Sequence, residues 1–326
     1  MIVFSNCKSV EAAALAFAMT IALSGGVPAQ DTPSFTTGPA ETTNPGLFAC
    51  HGARARVSPV GAIRSDDGRL WVVPADTHFQ TAMKAADLYN QCSGVRLRQL
   101  SDLDHQKVPV IDAGGEETFA AYIFADNYFE LYVNGKLLGV DAIPFTPFNS
   151  SVVRFKANRP FTIAVMGVDW EENLGLGSER NRRVAYHPGD AGFVAVIKDE
   201  KGRTVATTDK SWRAQTFYTA PLNDRSCLML EGPVRDSSRC ATAGVQDGSA
   251  FSAAHWPVPG NWFAPGFDDS GWPLATVFSN DTVGVDNKPA FMNFRDVFDD
   301  PAADAQFIWS SNLVLDNLVL MRRTVE

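Results

Sequence analysis

The chain has 326 residues and a formal net charge of −9, because 37 aspartate and glutamate side chains outnumber 28 lysine and arginine side chains. This acidic surface repels phosphate backbones, so the composition argues against nucleic acid as a partner. The length suits one large domain with a small appendage, or two domains.

The first 29 residues follow the plan of a secretory signal peptide. Lys8 precedes an apolar run at 12–23, and Val27 and Ala29 occupy the −3 and −1 positions of a cut after Ala29. The run is shorter than the roughly 20 residues that a membrane-spanning helix needs. No later segment is long and apolar enough to cross a membrane. We therefore predict cleavage and export, with a membrane anchor or a buried helix as the alternatives.

The cysteines agree with export. Cys7 lies in the segment that cleavage would remove, which leaves Cys50, Cys92, Cys227 and Cys240. An even number of cysteines in an exported chain predicts two disulfides, and proximity along the chain favours Cys50–Cys92 and Cys227–Cys240 over the other two pairings. A zinc site is the alternative, but no CxxC spacing supports one. We therefore predict a secreted or periplasmic protein.

The pattern changes twice in the rest of the chain. Residues 30–46 are rich in Thr, Pro and Gly and predict a flexible leader. Residues 47–116 form a prelude, in which Asp76 as N-cap and apolar side chains at helical spacing predict one helix over 77–91. Residues 117–326 contain short runs of branched and aromatic residues separated by turn signals, which are typical of an all-β sandwich or barrel.

Three motifs of the β region occur in the order found in a known family. They are ADNYFELYVNGK at 125–136, TDKSW at 208–212, and Trp262 followed by FDDSGWPLA at 267–275. With these motifs, 117–326 resembles the galactose-binding-like jelly rolls found in the N-terminal modules of bacterial α-L-rhamnosidases and related glycosidases. The resemblance implies a jelly-roll β-sandwich, which here follows a small N-terminal α/β prelude.

The same resemblance places Trp212 and Trp272 in the core. It implies glycan contact as a tendency. It does not imply catalysis, because the family's catalytic residues lie in a separate helical barrel that has no counterpart in these residues. The prelude and the insertion at 169–191 depart from the family pattern. Some members of the family are purely structural, so the fold leaves the function open.

The insertion begins with an acidic loop at 169–179. Clustered carboxylates suit Ca²⁺, which takes oxygen ligands from flexible loops, so we predict Asp169, Glu172 and Glu179 as metal ligands. Trp170 is predicted to stack on a sugar face, with Glu171 as a further ligand-binding residue. The alternative is a solvated acidic loop neutralised by three arginines that follow it, namely Arg180, Arg182 and Arg183.

Two further segments carry candidate ligand-binding residues. Asp126 and Asn127 interrupt an apolar strand, which indicates a sandwich edge or a bulge near a site, or simply a side-chain-capped turn. His187 lies near Asp190 in a loop, where such a pair is suited to general-base chemistry. No nucleophile or metal accompanies the pair in the sequence, so a surface histidine is the alternative.

Three functional classes remain open. The sequence favours a secreted, non-catalytic carbohydrate-binding or adhesion module with calcium as a candidate cofactor and a glycan or cell-envelope polysaccharide as partner. A structural or protein-interaction component of the cell envelope is the first alternative. A carbohydrate-active hydrolase or lyase is the second, because carboxylates are abundant although no GxSxG, HExxH or P-loop motif is present.

Processing of the chain gives the first testable prediction. Because signal peptidase accepts the small residue at Ala29, the exported protein should begin near Gln30. N-terminal sequencing of protein from the culture medium or periplasm checks this. Recovery of a membrane-bound product that still carries Met1 would contradict it.

Overall fold

The computed structural model describes Met1 and residues 32–50, 55–241, 248 and 251–326. The predicted signal peptide and the cut before Gln30 lie outside these described residues. Within them the protein is mostly β-structure, arranged in several antiparallel sheets, as the sequence predicts. No described helix is long and apolar enough to cross a membrane.

The described strands are numbered in chain order. They are β1 Ser34–Thr37, β2 Glu41–Asn44, β3 Val60–Arg64, β4 Leu70–Val73, β5 Ala86–Tyr89, β6 Val110–Asp112, β7 Glu117–Asp126, β8 Tyr128–Val133, β9 Lys136–Val140, β10 Ser150–Ala157, β11 Phe161–Val168, β12 Glu179–Asn181, β13 Val184–His187, β14 Gly192–Asp199, β15 Thr204–Thr207, β16 Arg213–Leu222, β17 Met229–Glu231, β18 Val234–Asp236, β19 Ser252–His255, β20 Thr276–Phe278, β21 Phe307–Trp309 and β22 Asp316–Val325. The described α-helices are α1 Asn280–Val283, α2 Pro289–Met292 and α3 Arg295–Phe298, and 3₁₀ turns occupy Leu100–Asp102, His105–Lys107 and Arg225–Cys227.

Two large sheets form the body of the protein. One has seven strands in the order β1-β19-β16-β22-β11-β8-β9, with every neighbouring pair antiparallel. The other has the order β20-β21-β14-β7-β10-β5, with β15 also paired to β14 and β6 parallel to β10. Asn134 and Gly135, both at positive φ, form the tight turn between β8 and β9 that this residue pair favours.

The two sheets enclose the first core. On β7, Phe119, Ala121 and Ile123 face inward, because alternate residues of a strand share one face. They meet apolar side chains of the seven-stranded sheet, among them Leu131 and Val165, at the centre of a continuous buried cluster. The sheets therefore pack as a sandwich.

A second core covers the outer face of the seven-stranded sheet. The N-terminal segment brings Phe79 onto this face, and the segment after β19 brings Trp256, Trp262 and Trp272. The sheet is consequently buried on both sides, and every residue of β11 is buried. This explains why β11 reads as a continuous apolar run rather than as an alternation.

Both predicted disulfide pairings are confirmed. Cys50 and Cys92 lie at bonding distance, as do Cys227 and Cys240. Two such pairs are compatible with an extracellular or periplasmic location.

Two predictions for the N-terminal part are wrong. The described portion of the leader, 32–46, is not free chain: β1 pairs with β19, and the Thr36 hydroxyl forms a buried 2.9 Å hydrogen bond with His255 Nε2. The predicted helix at 77–91 is absent, because its second half forms β5 against the edge of β10. Pairing with an open sheet edge overrides a local helical preference, and Met83, which the helical spacing would bury, is 57% exposed.

The buried tryptophans give the second testable prediction. Trp272 is 7% exposed and packs edge-on against Phe217 and Phe267, with ring centroids 5.8 and 5.3 Å away. Trp272→Ala should therefore lower the free energy of unfolding by about 3–5 kcal/mol, measured by urea denaturation. Leu274→Ala, at a neighbouring position that is 56% exposed, is the matched control and should change stability little. Equal effects of the two substitutions would contradict the second core.

Candidate functional site

A pocket of about 220 Å³ opens at one end of the sandwich. We call it the rim pocket. Its lining is dominated by charged and polar side chains, with two phenylalanines, and comprises Arg56, Asp126, Asn127, Phe145, Thr146, Phe148, Asp169, Glu179, Asn181, Arg182, Gly189, Asp190 and Lys288. The structure thus brings Asp126, Asn127, Asp169 and Glu179 together, although they come from two separate segments of the sequence.

Strand ends position the acidic residues of the rim pocket. Asp126 is the last residue of β7, and Asp169 directly follows β11, so both large sheets contribute one carboxyl at the same end. Asn127 links the end of β7 to the chain that follows β11. Its side-chain oxygen accepts a 2.6 Å hydrogen bond from Trp170 N, and its amide donates to Asp126 Oδ1 at 2.7 Å. Backbone pairing of Asp169 N with Asn317 O, at 2.9 Å, holds the end of β11 in place.

Asp126 and Asp169 form the floor of the rim pocket. They are 3% and 7% exposed, and neither carboxyl has an ion-pair partner among the described residues. The Asp169 carboxyl also has no hydrogen-bond donor in the described part of the chain. Burial raises the pKa of Asp169 well above its ordinary value, and the neighbouring charge of Asp126 raises it further. Burial likewise raises the pKa of Asp126, followed by the charge of Asp190. The floor therefore retains protons that exposed carboxylates would lose.

Gly189 leaves the Asp169 carboxyl open to the pocket. A Cβ atom added at Gly189 would lie 3.2 Å from both carboxylate oxygens of Asp169. The missing side chain is therefore what gives a ligand access to this carboxyl.

Arg56 organises the acidic wall of the pocket. Its guanidinium forms an ion pair with Glu179, and its Nε lies 3.7 Å from Glu172 Oε1. Burial raises the pKa of Glu179 to about 7, and the charge of Arg56 opposes that shift. Glu172 accepts a 2.9 Å hydrogen bond from Arg180 N and does not line the pocket.

The pocket mouth carries charges of both signs. Asp190 is exposed there, yet desolvation by its surroundings raises the pKa of its carboxyl, an effect opposed by Lys288 and then by His187. His187 itself is exposed at the end of β13 and is not part of the lining.

The roles predicted for Trp170 and Glu171 are wrong. Trp170 is 1% exposed, its indole N–H donates to Pro59 O at 3.0 Å, and its ring packs edge-on against Tyr128, so it offers no face to a sugar. Glu171 is 3% exposed and accepts hydrogen bonds from Gly175 N at 2.5 Å and from the Tyr218 hydroxyl at 3.2 Å. Both side chains anchor the acidic loop to the second core.

The predicted calcium ligands are not arranged as one set. Glu172 and Glu179 face Arg56, whereas Asp169 lies on the pocket floor. Among the described residues, no group of three or more His, Cys, Asp or Glu side chains is placed to hold a metal ion. Calcium binding therefore stays a prediction of the sequence. Arg56, rather than the arginines after the loop, is the described partner of its carboxylates.

Several residues of the site carry no local signal in the sequence. Arg56 and Lys288 lie far from Asp169 along the chain, and they cover the two aromatic rings of the pocket. The Arg56 guanidinium lies 4.8 Å from the Phe145 ring centroid, and Lys288 Nζ lies 4.2 Å from that of Phe148. Only the packing of distant segments brings these groups to the acidic residues.

The sequence patterns also do not single out Glu130 on β8, which is a further buried carboxylate. It is fully buried and receives donors from two segments, namely the Tyr132 hydroxyl at 2.7 Å, the Tyr128 hydroxyl at 3.0 Å, and both the backbone N and Nδ1 of His78. The two hydrogen bonds with His78 hold the loop after β4 onto the sheet, whereas the tyrosine hydroxyls belong to β8 itself. The hydrogen-bonding capacity of Glu130 is used internally, which sets it apart from Asp169.

No family model, curated protein or solved structure matches the chain. The resemblance to galactose-binding-like modules therefore stays a prediction from its motifs.

Glu171 gives the third testable prediction. Burial raises its pKa from 4.5 to about 8, so the unfolded chain ionises this carboxyl at lower pH than the folded chain does. The free energy of unfolding should therefore fall as pH rises from about 4.5 to about 8, by up to a few kcal/mol from this group. Glu171→Gln keeps an oxygen for Gly175 N and removes the charge, so its melting temperature should decline less over this pH range.

The control for this measurement is Glu200→Gln, which changes an exposed glutamate. It should keep the pH dependence of the unchanged protein. Parallel melting curves for all three proteins from pH 4.5 to pH 9 would show that Glu171 does not cause the loss.

Proposed function

We propose that the protein is an exported, galactose-binding-like jelly-roll module that binds glycans at the rim pocket without catalysis. The observation that supports this best is the Asp169 carboxyl, which is buried, has no hydrogen-bond donor among the described residues, and faces a cavity. The cavity admits solvent to the carboxyl oxygens, so a donor on a ligand can replace water there and form a hydrogen bond with a group that the described residues leave free.

Sugar hydroxyls match the groups that the pocket offers. A carboxylate accepts hydrogen bonds, whereas a protonated carboxyl both donates and accepts, as a hydroxyl group does. Asp126 and Asp169 lie side by side, and each can accept a hydrogen bond when ionised or donate one when protonated. A saccharide presents neighbouring hydroxyls that can satisfy the two kinds at once.

The size of the pocket favours a single sugar ring. Its volume of about 220 Å³ is below the roughly 300–1,000 Å³ of sites for drug-sized ligands. The opening lies at an end of the sandwich, so the remainder of a glycan chain can extend into solvent. We therefore expect recognition of a terminal residue or a short segment.

A hydrolase or lyase is the second candidate, and a specific observation favours it. Several titratable groups converge in one cleft, and Glu179, with a pKa near 7, is suited to transfer protons at neutral pH. The paired carboxyls of Asp126 and Asp169 are the type of groups that glycoside hydrolysis uses. Product formation separates this candidate from binding alone.

Glycan binding gives the fourth testable prediction. The protein should bind members of a panel of neutral oligosaccharides in isothermal titration calorimetry. Asp169→Asn preserves the shape of the side chain but replaces one acceptor oxygen with an N–H donor, and should weaken binding about 10-fold, the effect of leaving one hydrogen-bonding group unmatched. Gly189→Val should have a similar effect, because it fills the space above the carboxyl.

Asp281→Asn, in the first turn of α1 and outside the pocket lining, is the control and should bind as the unchanged protein does. Titrations with and without calcium test the predicted calcium dependence, and chromatography of the recovered sugar tests cleavage. Cleaved products that disappear in Asp169→Asn would replace the binding module with the enzyme. No binding to any glycan, or equal binding by all variants, would favour a structural role in the cell envelope.

A further inference from the structure

A second cavity lies on the sheet that contains β7, which has eight strands with β6 and β15 counted, and it occupies the face opposite to that of Ala121 and Ile123. Its volume is about 560 Å³, and its floor is formed by Thr118, Ala120 and Tyr122, which share one face of β7. Farther along the same face, Phe124 is covered by Phe291 of α2, with ring centroids 5.7 Å apart. We call the uncovered part the sheet groove.

Two cations stand on opposite sides of the sheet groove. Lys198 of β14 and Arg154 of β10 are both in direct register with Ala120 of β7. Because adjacent strands lie about 4.7–4.9 Å apart, the backbones that carry the two cations are roughly 9–10 Å apart. The short side chain of Ala120 leaves the space between them open.

Arg154 is held in place without being neutralised. Its Nη1 donates to His105 O at 2.5 Å and to Val108 O at 3.4 Å, both of which are backbone carbonyls. Its Nε and Nη2 have no hydrogen-bond acceptor among the described residues, and neither Arg154 nor Lys198 forms an ion pair within them. A guanidinium that is fixed in position and has unused N–H donors can bind a planar carboxylate through two parallel hydrogen bonds.

Tyr122 adds a neutral donor to the floor. The side chain is 4% exposed and lines the groove, yet its hydroxyl has no hydrogen-bond partner in the described part of the chain. A hydroxyl that lines a cavity and has no partner within the protein is free to donate a hydrogen bond to a ligand.

The acidic residues near the sheet groove do not cancel its positive charge. Asp199 is paired with Arg203, at 2.6 Å, and also accepts hydrogen bonds from two backbone N–H groups. Glu200 is exposed at the edge, where water screens its charge. The groove therefore presents two cations that are not ion-paired among the described residues, although the net charge of the protein is −9.

We propose that the sheet groove binds a uronate-containing oligosaccharide, with one sugar carboxylate between Arg154 and Lys198 and a donor from the Tyr122 hydroxyl. This site is separate from the rim pocket and lies on the face of a strand rather than at its end. The carboxylate pairs with the guanidinium through two parallel hydrogen bonds, and the sugar ring occupies the space over Ala120.

The test is a calorimetric titration of the full exported protein with a uronate tetrasaccharide. The proposal expects binding that weakens as salt is raised, because charge pairing carries much of the affinity. Lys198→Gln should weaken binding roughly tenfold or more, and Tyr122→Phe, which removes only the hydroxyl, roughly two- to tenfold. Lys210→Gln removes the same charge at an exposed position outside the groove and should leave the affinity unchanged.

Three further ligands test whether the groove selects a sugar carboxylate over an uncharged sugar, a sugar sulfate or a free inorganic anion. They are the carboxyl-reduced tetrasaccharide, a sulfated oligosaccharide of equal length, and inorganic sulfate at matched ionic strength. Equal or tighter binding of any of the three overturns the uronate assignment, as does an unchanged affinity in both Lys198→Gln and Tyr122→Phe. Absence of uronate binding overturns it outright. Asp169→Asn should retain uronate binding, so failure of the rim-pocket proposal remains distinguishable.

Discussion

The seven-stranded sheet is buried on both faces, and this constraint shapes the rest of the molecule. Its inner strands must pair nearly all their polar groups without water, since a buried unpaired group is costly, and Gln215 Oε1 on β16 is an exception. Asp316 of β22 illustrates the result, because it accepts hydrogen bonds from three hydroxyls, those of Thr219, Ser237 and Ser310. Arg322 on the same strand is likewise satisfied by carbonyls and by Asp269.

Against this background, the buried carboxyls divide into two groups. Glu130, Glu171 and Asp316 are surrounded by donors, among which His78, Gly175 and Ser237 fix loops to the sheet. Asp169 is equally buried, but it faces a cavity and has no donor in the described part of the chain. Burial alone therefore does not mark a functional group here. What distinguishes Asp169 is hydrogen-bonding capacity that the protein leaves unused, at the point where strands of both sheets end.

The sequence predicts the parts that depend on local signals. The β-region, the tight turn at Asn134 and both disulfide pairings follow from short-range patterns, and the burial of Trp272 follows from the family resemblance. The prediction of a helix at 77–91 is wrong, because the second half of this segment forms β5 and pairs with the edge of β10. No local sequence pattern reveals that open edge.

The candidate site shows the same division between local and long-range information. Composition directs attention to Asp126 and Asp169, because carboxylates interrupt or follow strongly apolar strands, and the structure places both in the pocket lining. It misjudges Trp170, since an indole in a polar loop gives no sign of the Pro59 carbonyl that holds it. It misses Arg56 and Lys288, whose contribution depends entirely on how distant segments pack.

One strand positions both proposed sites. Asp126 and Tyr122 lie on the same face of β7, four residues apart, which corresponds to about 13 Å along an extended strand. Between them, Phe124 is covered by aromatic side chains of α2 and β21, so neither cavity opens into the other. Groups this far apart with no shared partners act almost independently. A rigid strand can thus present an acidic pocket at its end and a groove with two cations along its face, and we propose that the first binds a neutral sugar and the second a uronate.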